Sequence, residues 1–283
     1  MSAPSLLPSS KKPRGILIAG NWKMNHGPRE TEKFFSDLLA AACPDLENSF
    51  GAAPSTVTQV ALANGSLQVC VIPPSVSLAS ASAHRGICAV GAQNAHWEIK
   101  GAFTGELSGP LLQEIGVTTV LVGHSERRQF FGETNETAQK RTLSLIEQGF
   151  RVILCIGETR AEREAGRTDE IVLSQLRAAL QDWKPGVGGT LVIAYEPVWA
   201  IGTGLTATPE QAEEVHALIR QELQNLHGEQ VSQKTAILYG GSVTPDNFAA
   251  LLSCRNIDGG LVGGASLKPD SFLKLIEAGG QAI

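Results

Sequence analysis

A chain of 283 residues is long enough to bury roughly three-quarters of its unfolded surface, so a full core is available. Its formal charge of −5, with no basic run longer than Lys11-Lys12 or Arg127-Arg128, argues against a nucleic-acid face. It does not exclude a phosphorylated ligand, because backbone amides gathered at one point outweigh a mildly acidic whole.

In chain order, Met1 to Arg14 is rich in Ser, Pro and Lys and has no apolar stretch. It reads as a disordered tail (a transit peptide being the alternative) ahead of one domain spanning 15–283. Strand-like runs then recur at Ile16–Ala19, Gln68–Ile72, Cys88–Gly91, Thr119–Gly123, Arg151–Ile156, Leu191–Tyr195, Ala236–Tyr239 and Gly260–Val262. They are almost wholly apolar rather than alternating, which suits strands covered on both faces.

Helix-like segments fall between them. Thr208 to His227 has Thr208 as cap, Pro209 in the first turn, Gln211 completing a capping box and Gly228 as a stop. Its apolar face is read as Val215, Leu218, Ile219, Leu223 and Leu226. Thr159 to Trp183 reads as a second such helix, with Thr159 and Glu162 as its box. Eight βα units predict parallel strands with right-handed crossovers closing into a (βα)8 barrel, an α/β single domain. A doubly wound open sheet is the alternative, but it would ordinarily carry GxGxxG after its first strand. Here Asn21-Trp22-Lys23 follows instead.

No apolar run approaches the ~18 residues of a membrane span. The five cysteines (Cys43, Cys70, Cys88, Cys155 and Cys254) form no CxxC pair. They read as small buried thiols of a reducing, cytoplasmic compartment, with Cys155 a packing residue within its strand.

In a barrel the chemistry lies at the C-terminal ends of the strands. Asn21 and Lys23 follow the first strand, His124 the fourth and Glu196 the sixth. Singly, each is an ordinary solvated or capping residue. Together they supply a cation, an electrophile and a carboxylate base. The apolar surroundings of Glu196 predict a raised pKa, and a helix starting at His124 would disfavour the imidazolium. Gly240-Gly241-Ser242 and Gly263-Gly264-Ala265-Ser266 follow the last two strands, where barrels commonly hold phosphate on backbone amides. Pro197-Val198-Trp199-Ala200-Ile201-Gly202-Thr203-Gly204-Leu205, with an apolar residue at its tip, reads as a lid.

Several segments resemble the triosephosphate isomerase family: Asn21 to Asn25, Gly123 to Arg128, Ala194 to Gly204, Tyr239 to Val243, Leu261 to Leu267 and Gly101 to Glu106. The likeness runs over residues 15 to 280. It implies interconversion of dihydroxyacetone phosphate and glyceraldehyde 3-phosphate in glycolysis and gluconeogenesis, through an enediolate and without cofactor or metal. By that resemblance Glu196 is the base and His124 the electrophile that moves protons between O1 and O2. Lys23 and Asn21 stabilise the developing charge, and Glu126 positions Lys23. Gly202, Ser242, Gly263 and Gly264 supply phosphate contacts, while Tyr239 and Ser242 latch the lid, Tyr239 near Ala207. Leu205 stands at a hinge. The 93–106 loop is similar to one that enters a second subunit, with Thr104 reaching the partner's site, which implies a homodimer.

Two other readings stand beside this. In an aldolase-type barrel Lys23 would form a Schiff base. A catalytically dead barrel kept for binding should lack one of Asn21, Lys23, His124 or Glu196, and none is missing.

Overall fold

The computed structural model describes residues 14–42, 57–202 and 206–283. The tail up to residue 13, Cys43, and Thr203, Gly204 and Leu205 of the expected lid therefore lie outside the described residues. Eight strands close in sequence order: β1 Ile16–Asn21, β2 Leu67–Ile72, β3 Ala89–Ala92, β4 Thr119–Val122, β5 Arg151–Ile156, β6 Thr190–Tyr195, β7 Ala236–Tyr239 and β8 Gly259–Val262. All neighbours are parallel, and β8 returns to β1 with Gly260 opposite Ile18. The open-sheet alternative is removed by that closure.

The apolar strands serve two cores because alternate residues face opposite sides. Inside the barrel, Leu17, Ala19, Cys70, Ile72, Leu121, Ile153, Cys155, Val192, Ala194, Leu238 and Leu261 pack together. Their neighbours Ile16, Ile18, Val120, Val152, Leu154, Ile193 and Ile237 point outward and meet the helices. Cys155 is thus a packing residue of the interior, and burial raises its thiol pKa far above the ordinary value. Cys70 is likewise pushed up by burial, to about 11.

The helix over Pro209–His227 has its Thr208–Gln211 capping box in place and ends at Gly228 with φ 85°. Its buried face differs from the expected one. Val215, Ile219 and Leu223 are buried, but Leu226 is 42% exposed, and His216 and Arg220 lie inside instead. Arg220 is admitted because Asp258 accepts from it at 2.7 Å, and Arg14 donates to the other oxygen of the same carboxylate, also at 2.7 Å. Arg14, expected in the tail, is therefore tied to the barrel. The second expected helix, Thr159 to Trp183, is two: Arg160–Glu164 and Thr168–Leu180, broken by Gly166 at φ 69°.

Candidate active site

Every candidate side chain emerges at the same end of the barrel, because parallel strands carry all their C-termini to one mouth. Asn21 is the last residue of β1, His124 stands two residues after β4, and Glu196 directly follows β6. They line one cavity of about 360 Å³ with Lys23, Ile201, Gly202, Gly240, Gly241, Ser242, Gly263 and Gly264.

Glu196 is 2% exposed. One carboxylate oxygen meets His124 Nε2 at 3.0 Å, and the other accepts from the Ser125 backbone N–H at 2.9 Å. The side chain passes over Gly240, where a Cβ would stand 2.9 Å from Glu196 Cγ and 3.1 Å from the Tyr195 carbonyl. Glycine at 240 is required by that close approach. Burial is the largest influence on the carboxyl and by itself would raise its pKa. The imidazole, the Ser125 amide and Lys23 together overcome burial and hold it below the usual carboxylate range. The raised pKa expected from sequence is therefore absent in this arrangement, because the opposing groups come from elsewhere in the chain.

His124 is the N-cap of the helix Ser125–Phe130, and its Nδ1 accepts from the Glu126 N–H at 3.2 Å. Burial, the largest influence, lowers its pKa, but the Glu196 carboxylate together with the Glu126 charge more than offsets that and raises it. The ring is nonetheless assigned as neutral. A proton on Nδ1 would confront the Glu126 N–H directly, whereas a single proton on Nε2 satisfies both contacts. Capping the helix and facing the base are thus done by the two nitrogens of one ring.

Lys23 donates to Glu126 Oε1 at 2.6 Å, and its own backbone N–H reaches Asn21 Oδ1 at 3.0 Å. An ammonium engaged with a carboxylate has no lone pair for Schiff-base formation, which disfavours the aldolase reading. Trp22, fully buried between them, ties this segment to the β8 loop by donating to the Ser266 carbonyl at 3.0 Å.

The described part of the expected lid starts with a short 3-10 turn, Val198–Ala200. It rests on Glu158, a buried carboxylate that accepts from Trp199 Nε1 at 2.9 Å and Tyr195 Oη at 3.1 Å and pairs with Arg163 at 3.2 Å. Glu158 stands outside the sequence motifs, since its role appears only when β5 and β6 are side by side. The Tyr239 hydroxyl is buried beside the Ala207 amide. Burial pushes the phenol pKa up, to about 12, and that amide opposes the shift. Ser242 lies at the cavity wall and its carbonyl accepts from Asn247 at 2.9 Å.

A closed (βα)8 barrel whose mouth gathers a buried carboxylate, an imidazole and an ion-paired lysine defines a barrel enzyme of acid–base chemistry. Residues 16–279 match the family described as triosephosphate isomerase. The chain is 47% identical to a triosephosphate isomerase of Acetivibrio thermocellus over 93% of its length and 97% of the relative's. It is also 47% identical to one of Chlorobium phaeobacteroides over 94% and 100%, respectively, and 44% identical to one of Solibacter usitatus over 93% and 99%. The chain belongs to the triosephosphate isomerase family. It is an enzyme that interconverts dihydroxyacetone phosphate and D-glyceraldehyde 3-phosphate, a step of glycolysis.

Proposed function

We propose that Glu196 is the base of this isomerisation, taking the proton from one substrate carbon and returning it to the next. The observation that carries this is the contact of its carboxylate with His124 Nε2 at 3.0 Å inside the cavity. The His124 imidazole, the Ser125 amide and the Lys23 charge now lower the basicity of Glu196. When it turns from Ser125 and His124 toward a substrate carbon it loses two of them. Burial is then less opposed, and its basicity rises where the proton is taken.

The neutral imidazole, freed from Glu196, presents its Nε2–H to the carbonyl oxygen. It stabilises the enediolate and passes a proton between O1 and O2. Lys23 and Asn21 add positive potential at the same oxygens, with Glu126 holding Lys23. The phosphate would lie against Gly202, Ser242, Gly263 and Gly264. Built Cβ atoms at Gly202 and Gly264 meet nothing within 4 Å, which leaves room for a dianion near the main chain. The segment 197–202 closes over it, latched by Tyr239 and Ser242, and no cofactor or metal is needed.

Glu196→Gln tests the assignment in a coupled assay of glyceraldehyde 3-phosphate turnover. It should lower kcat by on the order of a thousandfold or more with KM nearly unchanged, because the base acts in the transition state. Near-parental turnover would remove Glu196 from this role.

The protein also acts, in this reading, as a homodimer in the cytoplasm, with Thr104 of each 93–106 loop reaching the other subunit's site. The loop supports it: residues 98–106 are all exposed, including Ile99 and Phe103. Among the described residues no helix is long and apolar enough to cross a membrane.

A further inference from the structure

Lys23 is one of two non-glycine residues with positive φ among those described, at 51°. A side chain with a Cβ disfavours that region, so the surroundings must impose it. Its N–H is held by Asn21 and its Nζ by Glu126. The third hold is Gln93, whose side-chain amide donates to the Lys23 carbonyl at 2.7 Å and to the Ile72 carbonyl at 3.2 Å. Ile72 ends β2, and its carbonyl also accepts the Trp22 N–H at 3.1 Å. Gln93, the first residue after β3, therefore bridges the top of β2 to reach the turn after β1. It grips the Lys23 carbonyl directly and, beside it, the Ile72 carbonyl that receives the Trp22 N–H.

We infer that Gln93 is a positioning residue for the reaction, holding Lys23 in the left-handed conformation that aims its ammonium into the site. The inference rests on the reading of Lys23 as the cation that faces substrate. Without the Gln93 amide, Lys23 relaxes toward negative φ. The departure vector of its side chain then changes, and Nζ is displaced from the cavity and from Glu126. Asparagine, one methylene shorter, would not span the same two carbonyls. An apolar residue leaves the Lys23 carbonyl without this donor. Gln93 also opens the 93–106 loop, so its side chain joins the start of that loop to the Lys23 main chain.

The test is a double-mutant cycle of Gln93→Met, which keeps length and volume but removes both donors, with Lys23→Ala. Gln93→Met should lower kcat/KM at least tenfold, with KM raised as well as kcat lowered, while the melting temperature stays within a few degrees of the parent. On the Lys23→Ala background the same change should cost less than twofold. A full-sized loss on that background, or parental activity in Gln93→Met, would overturn the inference.

Should Gln93→Met fail to fold, Gln93→Glu is the second variant. Its carboxyl faces two carbonyls and regains one donor when protonated, so its activity relative to the parent should rise as pH falls from 7 to about 5.5. A flat ratio counts against the inference. Lys23→Ala alone separates the two readings. Near-parental activity there removes Lys23 from the chemistry and takes the inference with it, whereas a large loss there beside an active Gln93→Met removes Gln93 only.

Discussion

Glu196 is a carboxyl whose burial and partners pull in opposite directions, and its acid limb follows from which wins. Burial is the largest influence, yet His124, the Ser125 amide and Lys23 together leave the pKa below the ordinary carboxylate value. A base must be ionised to act. Activity is therefore present above that lowered pKa and is lost as the pH falls through it. His124→Ala removes the strongest of the opposing influences and leaves burial against one amide and one more distant cation. The acid limb of kcat/KM should then move upward, into or above the usual carboxylate range, in addition to the fall in rate. The substrate phosphate titrates near pH 6, so the informative quantity is the difference between parent and variant profiles measured with the same substrate. An unchanged limb would mean that the imidazole does not set the ionisation of Glu196.

At the scale of elements, β5 and β7 have the bounds read from sequence and the other six strands differ by one or two residues at one or both ends, because these apolar runs are short and bounded by glycine, proline or polar residues. The helical stretch after β5 was less legible. Its apolar residues Val172, Leu176, Ala179 and Leu180 keep helical spacing, and the Thr159–Glu162 box marks a start, so the pattern predicts one long helix. Gly166 breaks it at φ 69°, where the first helix ends and Thr168 begins the second. A built Cβ there meets nothing within 4 Å. Gly166→Ala should therefore cost only the backbone penalty of a left-handed alanine, about 1 kcal/mol, with kcat and KM unchanged. Chemical denaturation checks the first and the coupled assay the second. A loss of several kcal/mol would show that the break is held by packing instead.

The functional residues were legible for a related reason: a parallel barrel sends every strand end to one mouth, so position after a strand already implies convergence. Asn21, Lys23, His124 and Glu196 do meet there. What sequence reasoning missed was pairwise. The Ser125 amide reaches Glu196 from 71 positions away and Gln93 reaches Lys23 from 70, and no local pattern encodes either contact. The same holds for Leu226, given to the buried face by periodicity but left exposed, while the Arg14–Asp258–Arg220 cluster lies inside.

For the whole molecule, the same closure that builds the site leaves the 93–106 loop outside the barrel wall. Its base is fastened: Arg141 donates to the Ala95 carbonyl at 3.1 Å, Ser144 to the Trp97 carbonyl at 2.6 Å, and the Arg141 guanidinium lies 5.2 Å from the Trp97 ring centre. Its tip is not covered, and Ile99 is 54% and Phe103 43% exposed. A loop held rigidly at its root while presenting apolar side chains to water loses little further entropy on docking and gains from burying them. If a second copy covers the tip, Ile99→Asp with Phe103→Asp must place two charges in that contact, each desolvated without a partner. Sedimentation at micromolar concentration should show a dimer for the parent and a monomer for the double variant, with the barrel's circular dichroism retained. Activity should fall together with the dimer if Thr104 completes the neighbouring site. A parent that sediments as a monomer and turns over at full rate would confine the catalytic machinery to a single chain.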